Sequence, residues 1–193
     1  MTFVLGLTGS IAMGKSTTAA LLRAEGVPVW DADAAVHRLY GPGGAGAAAV
    51  GRLAPGAVTA EGVDRAALRA RVAAEPALLG RLEAAVHPLV AADRAAFLAA
   101  HADPVVALDV PLLFETGLDA LCDGVAVVSA PEAAQRARLA ARGLSAAEAE
   151  ALVARQMPDR DKRARAAWVI PTGTLDEARA AVRGMLSEIG EAP

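Results

Sequence analysis

A glycine-rich turn that places a lysine and a hydroxyl residue at the head of a helix can bind a polyphosphate. Gly9-Ser10-Ile11-Ala12-Met13-Gly14-Lys15-Ser16 has that pattern, G-x-x-x-x-G-K-S. A polyphosphate concentrates negative charge in a small volume. Glycines let successive backbone N–H groups turn inward on it, and the following helix adds the positive end of its dipole. The backbone of Gly9, Ala12, Met13 and Gly14 would cradle phosphate, Lys15 would reach the β- and γ-phosphates of ATP, Ser16 would ligate Mg²⁺ directly, and Thr17 adds a second hydroxyl. The strand-like run Phe3-Val4-Leu5-Gly6-Leu7-Thr8 comes before the loop and the helix-forming Thr17-Thr18-Ala19-Ala20-Leu21-Leu22 after it, which is the context the motif requires. Taken as an ordinary glycine turn, the segment leaves Lys15 without a purpose.

Further chemistry-bearing residues fall where a parallel sheet gathers ligands, at the carboxyl ends of strands. Trp30-Asp31-Ala32-Asp33 closes the second apolar run. Asp33 is a candidate to orient or deprotonate an attacking hydroxyl, and Asp31 to hold a metal-bound water; alternatively both cap the next helix. Asp109 ends Val105-Val106-Ala107-Leu108, where a carboxylate faces Mg²⁺ through water or simply forms a turn. Arg138 and Arg142 lie four apart on one helix face, and Arg155, Lys162 and Arg163 flank Gln156-Met157-Pro158, a break suited to a lid over about 136–165. Cations over a phosphate site stabilise the transferring group and exclude water, with Arg138 joining Lys15 and Asp33 as the catalytic set; the alternative is a solvated basic face. His37, four residues after Asp33, and His87, before Pro88, are candidates to contact the acceptor, each with a structural histidine as its alternative. No second histidine stands at metal-ligand spacing from His87, which argues against zinc.

The elements that must position these groups alternate between strand and helix. Apolar runs at Phe3 to Thr8, Val27 to Trp30, Val105 to Val110, Val125 to Ser129 and Trp168 to Ile170 are separated by helical spacing, which implies a five-stranded parallel sheet covered on both faces. Ser129 with Glu132, Ser145 with Glu148, and Thr174 with Glu177 have capping-box spacing. More than seventy residues separate the second and third runs, far beyond one crossover helix. A helical lobe over about 36–102 is therefore expected, inserted into a core of 1–35 and 103–193, with Pro76 and Pro88 limiting where its helices begin or bend.

Composition excludes several other classes. The 19 Lys and Arg against 22 Asp and Glu give a net charge of −3, against a nucleic-acid or membrane-surface binder. The 54% hydrophobic content is inflated by alanine, and no stretch of about 18 uncharged apolar residues could span a bilayer. Met1-Thr2 leads straight into the first strand without a secretory pattern, and the lone Cys122 permits no intrachain disulfide, so a cytoplasmic setting is expected.

In order along the chain, Leu7-Thr8-Gly9-Ser10-Ile11, Gly14-Lys15-Ser16-Thr17, Asp31-Ala32-Asp33, His87-Pro88, Val110-Pro111-Leu112-Leu113-Phe114-Glu115, Q-x-x-R-L-x-x-R from Gln135 to Arg142, and Gln156-Met157-Pro158 resemble the dephospho-CoA kinase family. The resemblance implies a phosphate-loop (P-loop) NTPase-type three-layer α/β/α fold with a helical CoA-binding insertion and a helical lid. It also implies transfer of the ATP γ-phosphoryl group to the ribose 3′-hydroxyl of dephospho-CoA, the last step of CoA biosynthesis, with Mg²⁺ as cofactor. On the same ground Asp33 matches the family's proposed base, Arg138 and Arg142 its lid arginines, and His87-Pro88 its acceptor domain; Glu115 belongs to a family motif of open role. A monomer or weak homo-oligomer is expected. Two features depart from the family. Ala12 stands where members usually have glycine, and Ala166-Ala167 and Pro171-Thr172 replace the usual residues around the last strand, which puts adenine contacts there in doubt. A kinase of another small metabolite or nucleotide and a non-catalytic ATP switch are the alternatives.

Overall fold

The computed structural model describes residues 1–191. The chain runs β1 (Phe3–Thr8), α1 (Lys15–Ala24), β2 (Val29–Asp31), α2 (Ala32–Tyr40), α3 (Ala45–Leu53), β3 (Val58–Thr59), β4 (Gly62–Val63), α4 (Arg65–Ala74) and α5 (Ala77–Ala100). It continues through β5 (Val105–Asp109), β6 (Gly124–Ser129), α6 (Glu132–Ala141), α7 (Ala146–Val153), α8 (Asp159–Arg165), β7 (Trp168–Pro171) and α9 (Leu175–Glu191). Five strands form one parallel sheet, as the alternation of apolar runs implies, and their order is β2-β5-β1-β6-β7. The chain divides into two compact units, Met1–Trp30 with the chain from His101 onward, and Asp31–Ala100.

In the first unit β1 is the central strand, with Leu5 opposite Ala107 and Leu7 opposite Asp109 on β5, and Leu5 opposite Gly124 on β6. A strand between two parallel neighbours with helices on both faces has no solvent side, which is why these strands read as apolar runs and not as alternation. Leu5 and Leu7 are wholly buried, packed in a core with Leu22 of α1, Val128, Ile170, and Val182 and Met185 of α9. The capping boxes expected at Ser145 and Thr174 are both formed. The one expected at Ser129 is not. Helix α6 begins at Glu132 after Pro131, and the Ser129 hydroxyl, still on β6, donates instead to Asp159 at 2.9 Å.

The second unit is helical apart from the β3–β4 hairpin, which the sequence pattern did not foreshadow because each strand has two residues. Val50, Ala54, Ala57, Leu78 and Leu82 form its core, with Leu68 and Val72 of α4 packed against it. Helix α5 runs unbroken through Pro88, whose ring lies on an exposed position.

Candidate active site

The phosphate loop spans the gap between β1 and α1, and its two end glycines are required by what surrounds them. A Cβ on Gly9 would lie 2.7 Å from the Val128 carbonyl oxygen. Gly14 has φ +97° and a Cβ there would meet Thr172 at 3.1 Å. Gly14 is also the N-cap of α1 and offers no side-chain cap. The first-turn N–H groups of Lys15, Ser16 and Thr17 therefore have no helical acceptor, and the positive end of the helix dipole faces outward. The Lys15 ammonium sits 2.5 Å from Asp109 Oδ1, and that carboxylate is almost fully buried. The structure thus brings Lys15, at the head of α1, together with Asp109, at the end of β5. Ser16 and Thr17 are exposed at the same helix start.

The outer side of the loop is held by side chains from distant elements. The Gln135 amide donates to the Ile11 carbonyl at 2.8 Å, and the Ile11 N–H donates to Gln156 Oε1 at 2.9 Å. Arg138 donates to the Ala12 carbonyl at 3.2 Å and to the Thr172 carbonyl at 2.5 Å. The Thr172 hydroxyl donates to the Met13 carbonyl at 2.6 Å. Ala12 is left-handed, with φ +61°, and its buried methyl packs with Leu139 of α6 and Ala149 of α7. Among the described residues it is the sole non-glycine at positive φ.

These contacts relocate several residues. Arg138 reaches the carbonyls of the loop and of Thr172, the residue after β7, while Arg142 lies exposed just past the end of α6. Thr172, read from sequence as a doubtful adenine contact, is a buried brace of the loop. Lys162 is not a lid cation: it is fully buried, with its ammonium 2.9 Å from Glu115 and 3.3 Å from the Pro111 carbonyl. The same carbonyl accepts from Thr8, the residue before the loop, and Glu115 also accepts the Met157 N–H at 2.9 Å. Burial alone would raise the Glu115 carboxyl, but the hydrogen bond and charge of Lys162, together with backbone N–H donors including Met157, outweigh it and hold it below the ordinary carboxylate value. Gln135 and Thr172 were missed as functional residues. The three-residue spacing of Gln135 and Arg138 on α6 was the available signal for the first; Gln156 was marked only as part of the Gln156-Met157-Pro158 break, and Thr172 carried no signal for its contact with the loop.

The remaining candidates belong to the helical unit. Asp31 caps α2, accepting the Ala34 N–H at 2.9 Å, so its capping alternative is realised. Asp33 and His37 are exposed on that helix, one turn apart, and His87 is exposed on α5. Among the described residues no three His, Cys, Asp or Glu side chains converge as a metal cage. The Ser16 hydroxyl and the Asp109 carboxylate are hard oxygen donors, which fits Mg²⁺, an ion that relies on substrate phosphates and waters more than on protein ligands.

A central strand feeding a G-x-x-x-x-G-K-S loop into an uncapped helix makes this chain a phosphate-loop nucleotide-binding protein. Dephospho-CoA kinase from Campylobacter jejuni shares the fold, with a TM-score of 0.68 at 21% identity over 97% of each chain. The family model described as Dephospho-CoA kinase matches residues 3–177. A dephospho-CoA kinase from Cereibacter sphaeroides is 59% identical over 98% of this chain and 96% of its own length, and one from Jannaschia sp. is 54% identical over 99% of each. The chain belongs to the dephospho-CoA kinase family and is a phosphotransferase.

Proposed function

We propose that the chain moves the γ-phosphoryl group of ATP to the ribose 3′-hydroxyl of dephospho-CoA by positioning and charge stabilisation, with Lys15 as the principal cation. The observation that carries this reading is the Lys15 ammonium fixed by buried Asp109 beside an uncapped helix start. Three first-turn N–H groups and Lys15 meet the β- and γ-phosphates there, and the loose transition state of phosphoryl transfer gains from donors that need no rearrangement. Ser16 would hold Mg²⁺, with Asp109 acting through water. When bound, the ion neutralises charge on the β- and γ-oxygens.

Asp33, exposed after the carboxyl end of β2, aligns the ribose hydroxyl and accepts its proton as its oxygen bonds to the γ-phosphorus and the bond from that phosphorus to the β–γ bridging oxygen breaks, releasing ADP. His37 and His87 contact the acceptor from the helical unit. Arg142, in the segment 136–165 that acts as the lid, meets the transferring group, whereas Arg138 acts mainly by holding the loop. The chain works in the cytoplasm, where a lone Cys122 stays reduced, as a monomer or weak homo-oligomer.

Incubation with Mg²⁺-ATP and dephospho-CoA, with adenosine, AMP and shikimate as parallel acceptors, tests the assignment by product mass. CoA formed only from dephospho-CoA is the expected result. Phosphorylation of another acceptor in preference would overturn it.

A further inference from the structure

Two peptide groups meet at the left-handed Ala12, and α6 holds both by their carbonyls. Gln135 takes Ile11 O at 2.8 Å, and Arg138 takes Ala12 O at 3.2 Å. Left-handed geometry costs an L-residue about 1–2 kcal/mol and persists where the surroundings over-determine it. Here the two side chains, three residues apart on one helix face, supply that constraint. In a trans peptide the N–H points opposite to the carbonyl. With Ile11 O drawn toward α6, the N–H of Ala12 must point away from that helix, and it has no hydrogen-bond partner among the described residues. The next N–H, of Met13, is spent on Ser10 O at 3.1 Å. Gln135 is 5% exposed, so water competes poorly for its amide.

We propose that Gln135 is a positioning residue for ATP: by holding the Ile11 carbonyl it presents the Ala12 N–H as a phosphate donor. This rests on the loop being the phosphate site proposed above. Gln156 supports the same geometry from the other side, since its hold on the Ile11 N–H turns Ser10 O toward Met13. Gln135 touches no substrate atom and acts through the backbone.

Calorimetric titration of the wild-type protein, Gln135→Glu and Gln135→Met with ATP and with tripolyphosphate, alongside KM for dephospho-CoA, tests this. The first variant keeps the shape and replaces the donor by an acceptor; the second keeps the apolar stem without a donor. Both should bind ATP and tripolyphosphate about tenfold more weakly, the equivalent of one hydrogen bond of about 1.4 kcal/mol, with KM for dephospho-CoA changed less than about twofold. Equal loss on both ligands is expected because the displaced donor meets phosphate and not nucleoside. Unchanged affinity, or a loss confined to ATP, would overturn the role of Gln135 while leaving the loop assignment standing. Failure of the wild-type protein to bind either ligand would overturn the loop assignment and this role with it. Should Gln135→Glu not fold, Gln135→Met carries the same comparison.

Discussion

Ile11, Ala12 and Met13 of the phosphate loop are each braced by side chains 124 to 159 residues away in sequence, from α6, the α7–α8 connection and the residue after β7. In the helical unit, by contrast, Asp33, His37 and His87 stand exposed on helices whose own core is alanine, leucine and valine. Donors aimed at a developing phosphoryl charge are most effective when fixed before the reaction, because they then cost no reorganisation. Groups that receive a large flexible acceptor gain little from being fixed alone, since the acceptor itself can order them on binding. The contrast between a preorganised loop and an open acceptor surface is therefore a claim about where binding energy is used.

The sharpest way to break it is at Asp33. If the exposed carboxylate only aligns and deprotonates the acceptor, Asp33→Ala should lower kcat on the order of 10³-fold while ATP affinity is unchanged. Single-turnover rates and a nucleotide titration separate the two. Unchanged turnover would remove Asp33 from the reaction, and weakened ATP binding would join it to the loop's own network.

The pair behind the loop comes next, a buried Lys162 ammonium held by a Glu115 carboxylate that is open to solvent. Lys162 has no solvent access, so Glu115→Ala leaves its ammonium with the Pro111 carbonyl as a neutral partner and should destabilise the fold by about 3–5 kcal/mol in denaturant. Joint replacement, Glu115→Leu with Lys162→Met, should restore stability to within about 1 kcal/mol of the wild type, because neither charge is then left buried. A double variant as unstable as the single one would show that the pair is needed for more than mutual neutralisation. The pH response has a definite sign. The Glu115 carboxyl is depressed in the folded state, so its contribution is fully present above the ordinary value of 4.5 and is lost as pH falls through the lower folded value. The wild-type protein should therefore lose more stability on acidification below about pH 4.5 than Glu115→Gln does, and parallel acid profiles would contradict this.

The two regions also differed in how much the sequence disclosed. The parallel five-stranded sheet and the loop were legible because both are written in contiguous residues: apolar runs, two glycines, Lys15 and Ser16. The Lys15–Asp109 contact was legible only in part: Asp109 at the end of β5 and Lys15 at the head of α1 were both read as facing the phosphate site, but as separate ligands and not as a pair. The bracing of the loop was not. Gln156, noticed only as part of a lid break, and Thr172 are ordinary polar residues whose partners lie across the fold, and no local pattern points either of them to the loop. Lys162 was misread for a related reason. In Asp159-Arg160-Asp161-Lys162-Arg163 it looks like one more surface cation, yet on α8 its neighbours point to solvent while it points inward to Glu115. Burial of a charge is decided by a partner, and Glu115 lies far away along the chain.

Ala12 gives the finest test, because opposing terms of similar size act at one atom. Ala12→Gly relieves the left-handed backbone, a gain of about 1–2 kcal/mol. It also gives the unfolded chain more freedom, a loss of about 0.4–1 kcal/mol. Removing a methyl buried against Leu139 and Ala149 costs about 0.8 kcal/mol more. The sum is near zero, so the unfolding free energy should stay within about 1 kcal/mol of the wild type even though a loop residue has changed. The seam between α6 and α7 loses the Ala12 methyl all the same, and amide exchange over Ala146–Val153 should quicken while the sheet strands hold their protection. A gain above about 2 kcal/mol would mean that the methyl packs poorly and strain dominates. An equal loss would mean that the left-handed backbone carries little strain and that the methyl is the main link between loop and lid.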